Sequence, residues 1–181
     1  MNISHVNIGI YIGRFEPFHK GHHMVVNNAL SYCDTLIIFV GSHSNIRTKK
    51  NPFIALERIT MIKKCFNNEE LSKIKFHTLI DYGDMENWTN DILMCLNNFY
   101  TEGQTVGIFG CLKDSSSYYL NYFPSSFKKL FFEEPFEKIN ATDIRKKYFE
   151  ENIIDETNLH SGVVEYLKNY QYNYIYQNLD T

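Results

Sequence analysis

Gly13-Arg14-Phe15-Glu16-Pro17-Phe18-His19-Lys20-Gly21-His22 separates two segments of different periodicity. Before it, Val6, Ile8, Ile10 and Ile12 alternate as in a buried strand; after it, Met24, Val25, Val26, Ala29, Leu30 and Cys33 recur at helical spacing. A strand, a tight turn and a helix are therefore expected to meet here. Gly13 lets the chain turn where a side chain would crowd a ligand, and Pro17 forbids helix until it has been passed. His19 and His22 then fall three residues apart on the first helical turn, on one face. That end of a helix carries free backbone N–H groups and a partial positive charge, so the spacing predicts a phosphate site.

Outward from this stretch, strand and helix alternate. Thr35 to Val40 is a near-continuous apolar run, as in an interior parallel strand, and Ser42 to Pro52 is a polar, basic loop leaving its carboxyl end. Phe53 to Phe66 carries Ala55, Ile59, Ile62 and Phe66 at helical offsets with Glu57, Lys63 and Lys64 outward, the pattern of a packing helix. Lys75 to Ile80 reads as a third strand running into Asp81, Gly83 and Asp84. A helix over Glu86 to Phe99 follows, with Trp88 in its opening turn. Gln104 to Gly110 is the fourth strand, and the serines of Lys113 to Leu120 suit a capped helix start. Phe127 to Phe132 is the fifth strand, closed by Pro135. Asn140 or Thr142 caps the next helix, and Val163, Leu167, Tyr170 and Tyr174 mark an amphipathic closing helix.

This alternation implies an α/β fold of three layers around a five-stranded parallel sheet. With no repeat, linker or low-complexity tract, one domain over residues 1–181 is expected. Three strands end in Gly13, Gly41 and Gly110, at the edge where open α/β sheets bind ligands.

A chain of 181 residues can bury a core without disulfides or metal. The net charge of -3, with lysines single or in isolated doublets such as Lys49-Lys50 and Lys146-Lys147, leaves no basic tract for nucleic acid. Phosphate affinity must be local. Cys33, Cys65, Cys95 and Cys111 lack metal-ligand spacing, and three of them lie in apolar helical runs, as small buried hydrophobes in a reducing compartment. Neither a secretory signal nor an apolar run of membrane-spanning length is present, so a cytoplasmic protein without membrane partners is expected.

The pattern Gly-x-Phe-x-Pro-x-His-x-Gly-His resembles the signature of the nucleotidyltransferases that share a class I synthetase-like Rossmann fold. The segments Gly41-Ser42, Lys50-Asn51-Pro52-Phe53 and Glu57-Arg58 look like the second block of the archaeal-type nicotinamide mononucleotide adenylyltransferases. Trp88 stands where that family sets an aromatic against the nicotinamide ring. Lys113-Asp114-Ser115-Ser116-Ser117-Tyr118-Tyr119 and Asn140-Ala141-Thr142-Asp143-Ile144-Arg145 resemble the adenylyltransferase half of bifunctional enzymes that also carry a Nudix hydrolase.

The resemblance implies a Rossmann-like nucleotidyltransferase that joins ATP to nicotinamide mononucleotide, giving NAD and pyrophosphate, with Mg2+ brought by ATP. It implies that His19 and His22 hold the α-phosphate, that Arg145 grips the β- and γ-phosphates with help from Thr142, and that Gly13, Arg14, Phe15, Lys50, Trp88 and Gly110 contribute to substrate binding. A homo-oligomer is compatible with the resemblance, since archaeal relatives form rings, but the sequence does not fix the oligomeric state. Two positions depart from the pattern: Glu16 stands where Gln is expected, and Cys111 where His is usual. The glycine and glutamate box of a Nudix hydrolase is missing, so no hydrolase activity is expected. Two alternatives stay open: an adenylyl- or cytidylyltransferase of this fold acting on another phosphate acceptor, such as pantetheine phosphate, FMN or a polyol phosphate, and a nucleotide sensor that no longer turns over. Trp88 and the Asn140 to Arg145 block favour nicotinamide mononucleotide.

Overall fold

The structure, a computed structural model, describes residues 4–44, 47–111, 115–133 and 139–170. Its sheet is built on β1 (Val6–Gly13), which pairs in parallel with β2 (Cys33–Val40) on one side and with β4 (Val106–Cys111) on the other. β3 (Ile74–Thr78) and β5 (Lys128–Phe132) form the two edges, giving the order β3-β2-β1-β4-β5 with every pairing parallel. The chain winds outward from β1 to β3, then crosses back to lay β4 against β1. That reversal opens a crevice at the carboxyl ends of the central strands.

The period of two along each strand decides which face a side chain enters. Ile8 and Ile10 of β1, Ile37 and Phe39 of β2, and Val106 and Ile108 of β4 point to one face, covered by α4 (Met85–Leu96) through Ile92, Cys95 and Leu96 and by a 3-10 helix (Ser115–Tyr122) through Leu120. Tyr11, Leu36, Ile38, Val40 and Phe109 point to the other face. There they pack with α1 (Lys20–Leu30), α2 (Ala55–Lys63), α5 (Ala141–Glu150) and α6 (Ser161–Lys168). The three layers and the parallel five-stranded sheet agree with the expectation from sequence.

Several local expectations are corrected. Cys33 opens β2 instead of closing the helix before it. A short helix, α3 (Asn68–Lys73), stands where none was expected; it has no buried residue and is fixed at its start by Asn67, whose side chain accepts from the Glu70 N–H. Glu57 does not face outward. It is 8% exposed because its Oε2 accepts the Ile54 N–H at 2.9 Å, closing the first turn of α2, while its carboxylate pairs with Arg47 at 2.8 Å. The serine-rich stretch forms a 3-10 turn in place of an α-helix, and the helix expected to run through Tyr170 ends at Lys168. Lys113, Asp114, Pro135 and Tyr174 lie outside the described residues.

Gly162 explains how closely α6 docks: a Cβ there would overlap the Lys64 carbonyl at the end of α2. Among the described residues no helix is long and apolar enough to cross a membrane, and the four cysteines are buried and form no disulfide.

Candidate active site

The turn after β1 is shaped by aromatic packing. Phe15 adopts a left-handed backbone at φ 56, and its ring swings back so far that a Cβ on Gly13 would lie 2.7 Å from its edge. Gly13 is glycine because Phe15 occupies its side-chain space, a different reason from ligand approach. The Phe15 ring is 1% exposed and meets Tyr11 at 5.4 Å and the edge of His22 at 5.0 Å. The Phe15 ring is therefore a packing group that fixes His22. Gly110 is crowded in the same way, with Phe131 3.0 Å from where its Cβ would be.

His19 is the N-cap of α1 and His22 its third residue. The His19 N–H donates to Nδ1 of His22 at 3.3 Å, which places the proton of a neutral His22 on Nε2 and makes that nitrogen a donor. The two imidazoles stack at 3.6 Å and 21°. A Cβ on Gly21 would lie 3.1 Å from the His19 ring, so the glycine between the histidines makes room for the first of them. Phe18 stacks on the far side of His22 at 5.7 Å. Both rings are therefore positioned before any ligand arrives.

Beneath this turn lies a buried group of charges. Arg58 of α2 is 0% exposed and donates to the carbonyls of Arg14 and Gly41 at 2.6 Å and of Ser42 at 3.2 Å. It thereby ties the carboxyl ends of β1 and β2 together. Its Nε lies 3.1 Å from Oε1 of Glu16, itself 2% exposed, but the two are not aligned as a hydrogen bond. The other oxygen of Glu16 accepts the Phe53 N–H at 3.2 Å. Burial pushes the Glu16 carboxyl from 4.5 up to about 8, against the downward pull of Arg58, the Phe53 N–H, Arg145 and Arg14. Burial likewise lowers Arg58, with Glu16 opposing.

Arg145 of α5 is 6% exposed, so it is not a surface group. It donates to the carbonyl of Glu16 at 2.8 Å, to that of Lys49 at 3.2 Å and to Oγ1 of Thr142 at 3.2 Å. Asn140 caps the helix by accepting the Thr142 N–H at 2.9 Å, which brings the first turn of α5 beside the turn after β1. Arg14 is exposed and donates to Asn51 at 3.3 Å. Lys50, also exposed, adjoins the Lys49 carbonyl that Arg145 holds. His19, His22, Arg14, Lys50, Thr142 and Arg145 are thus gathered at the carboxyl end of the central strand β1.

Trp88 and Gly110 belong to the other side. Trp88 is half-buried in the first turn of α4, against Tyr119 at 5.8 Å and Phe123 at 6.4 Å. The helix starts at Asp84, whose carboxylate accepts the Asn87 N–H at 2.8 Å. Nearby, Ser42 donates to Asp81 at 3.2 Å, linking the ends of β2 and β3. Cys111 closes β4 in the core. Sequence reasoning missed the roles of Glu16, Arg58 and Arg47. Glu16 was noticed only as a departure from a pattern and Arg58 only as part of a matching block.

Residues 10–147 match the family model described as cytidylyltransferase-like. Over 170 residues, 94% of this chain and 89% of the relative, the sequence is 36% identical to the nicotinamide/nicotinic acid mononucleotide adenylyltransferase of Acinetobacter baylyi. It is 34% identical over 147 residues to the nicotinamide-nucleotide adenylyltransferase of Sulfurisphaera tokodaii, covering 79% of this chain and 80% of that one. Among solved structures, the bifunctional NMN adenylyltransferase/ADP ribose pyrophosphatase of Francisella tularensis superposes with a TM-score of 0.84 at 28% identity. That match covers 96% of this chain and 52% of the bifunctional one, so the chain spans about half of that protein. The same relative has been solved with AMP and a manganese ion. The chain belongs to the cytidylyltransferase-like nucleotidyltransferases and, within them, to the nicotinamide-nucleotide adenylyltransferases.

Proposed function

We propose that this protein transfers the adenylyl group of ATP to nicotinamide mononucleotide, with His19, His22, Arg14 and Arg145 handling the phosphates. The observation that carries the reading is the His19-Lys20-Gly21-His22 turn, in which the imidazoles are stacked at 3.6 Å and His22 is oriented by the His19 N–H at the start of α1.

An oxygen of the mononucleotide's phosphate attacks the α-phosphorus of ATP. One P–O bond forms there while the bond to the bridging oxygen breaks, and pyrophosphate leaves with the electron pair. The attacking group is already an anion, so no side chain has to be deprotonated. Catalysis is then positioning and stabilisation of charge on the α-phosphate oxygens. The Nε2–H of His22 and the N-terminus of α1 supply donors that need no reorganisation. Arg145 has its plane set by the Glu16 and Lys49 carbonyls and by Thr142, and it offers a fixed cation to the β- and γ-phosphates, assisted by Thr142 and Lys50. Arg14 adds a second fork.

A divalent ion, magnesium in our reading, enters with ATP. Among the described residues no three of His, Cys, Asp and Glu converge on a point, which suits an ion held by phosphates and water. Trp88, with an aromatic wall behind it, offers a flat face to the nicotinamide ring. Four buried cysteines without a disulfide suit a reducing, cytoplasmic setting.

The test is pyrophosphate release by the purified protein with ATP and magnesium, supplying in turn nicotinamide mononucleotide, its deamidated form, pantetheine phosphate and FMN. Turnover with a pyridine mononucleotide is expected. Turnover only with another acceptor, or none with any, overturns the reading.

A further inference from the structure

Glu16 has no part in the reaction just described, yet it lies at the centre of the phosphate site. Its carboxylate faces Arg58 at 3.1 Å and its own carbonyl receives Arg145 at 2.8 Å. Arg14 is two residues away and gives its carbonyl to the same Arg58. One guanidinium, that of Arg58, thus faces the buried carboxylate, and the charges of Arg145 and Arg14 act on it through space. Of its oxygens, Oε2 is occupied by the Phe53 N–H, whereas Oε1 is buried and accepts no aligned hydrogen bond. A lone pair is therefore available to a proton without breaking the contact that holds the 50–53 loop.

We propose that Glu16 takes up a proton from solvent when the triphosphate of the nucleotide binds. The inference rests on the assignment of Arg14 and Arg145 to the phosphates. An incoming polyanion on those two arginines competes with the carboxylate for the same positive potential, and two anions sharing one set of cations disfavour each other's charge. Protonating Glu16 relieves the conflict at little structural cost. The charged groups facing it are Arg58 from α2, Arg145 from α5 and Arg14 from its own loop; Glu57 and Asp81 act on it through Arg58.

The sign follows from the carboxyl value of about 8 before nucleotide binds. Below it Glu16 is largely neutral; above it the charged form dominates and has to be neutralised on binding. By reciprocity of linkage the protonated protein binds ATP more tightly, so affinity falls as pH rises from 7 to 9. One linked proton allows at most about tenfold per pH unit. Glu16→Gln fixes the neutral state, so its affinity should not change over that range.

Titration calorimetry of the whole protein with ATP and magnesium at pH 8, in two buffers of different ionisation enthalpy, counts the protons. The wild type should take up as much as about half a proton more than Glu16→Gln, the most a half-ionised group can add. His19 and His22 remain in both proteins, so their uptake cancels. Equal proton counts with normal ATP binding overturn this inference and leave the assigned function standing; absence of ATP binding overturns both. If the glutamine variant does not fold, wild-type uptake from pH 6.5 to 9.5 decides. A maximum above pH 8, midway between the carboxyl values without and with nucleotide, supports Glu16, and a steady decline above pH 7 overturns it.

Discussion

Arg58 and Arg145 are 0% and 6% exposed and direct their donors to main-chain carbonyls, whereas at the acceptor end Asp81, Tyr82, Gly83 and Asp84 are all exposed and Trp88 is half-buried. The first region is built as a core is built, with each guanidinium plane fixed by several partners. The second rests on a capped helix start and one aromatic wall. On the proposed assignment, the group that meets the transition state is over-determined, and the group that recognises a ring stands at an exposed helix start, where replacement costs little.

Arg58→Met tests this contrast most severely. It leaves three carbonyls without their donor and, at pH 9 where Glu16 is charged, that carboxylate without its nearest cation; breaking such a buried pair costs about 3–5 kcal/mol. Chemical denaturation measures the loss, which the double variant with Glu16→Gln should partly restore; a loss under about 1 kcal/mol, the scale of an exposed pair, would show that the buried group does not organise this end.

Next in size is His22→Ala. Loss of one preorganised donor should lower kcat about 100-fold while leaving KM for ATP little changed. An unchanged kcat would remove His22 from the chemistry.

Arg145→Lys keeps the charge but cannot hold the Glu16 and Lys49 carbonyls and a phosphate in one plane. Losing hydrogen bonds to a charged group of about 1.5–3 kcal/mol predicts a ten- to hundredfold fall in kcat/KM. Full activity in the lysine variant would mean that charge alone suffices.

Trp88→Ala should be mildest and should act on affinity alone. Stacking on a cationic pyridinium contributes roughly 1–2 kcal/mol, so KM for nicotinamide mononucleotide should rise about five- to thirtyfold with KM for ATP unaffected. Trp88→Phe should recover part of the loss. Since Trp88 is the only tryptophan, the same stacking should quench the protein's indole emission, and unchanged emission at saturating mononucleotide would return Trp88 to a packing role.

The strands were legible because each is a short apolar run whose alternation depends on nothing distant. The histidine turn was legible because its physics is local: a proline, two glycines and two imidazoles within ten residues. Glu16 and Arg58 were not. A lone charge in a sequence reads as solvated unless its partner is known, and these partners are 42 positions apart (58 minus 16) and meet only once α2 has packed across the carboxyl ends of β1 and β2. Glu57 misled for a related reason, since helical spacing assigned it outward and only the return of Arg47 from the preceding loop buries it. Of the three strand-end glycines, Gly13 and Gly110 are points of close approach, to Phe15 and Phe131, while a Cβ on Gly41 would meet nothing nearer than 3.7 Å; no periodicity reveals these neighbours. α3 escaped because it has no apolar face to register.

The strand order has a consequence for the growing chain. β1 and the histidine turn leave the ribosome before β4 and α5, but β1 pairs with β4, as in the Asn7 and Thr105 contacts that span 98 residues, and Arg145 reaches the Glu16 carbonyl across 129. Contacts so distant in sequence form late and slowly. The phosphate-binding turn therefore exists as a sequence long before it exists as a site, and a nascent chain that stops short of α5 should neither hold nucleotide nor compete for it.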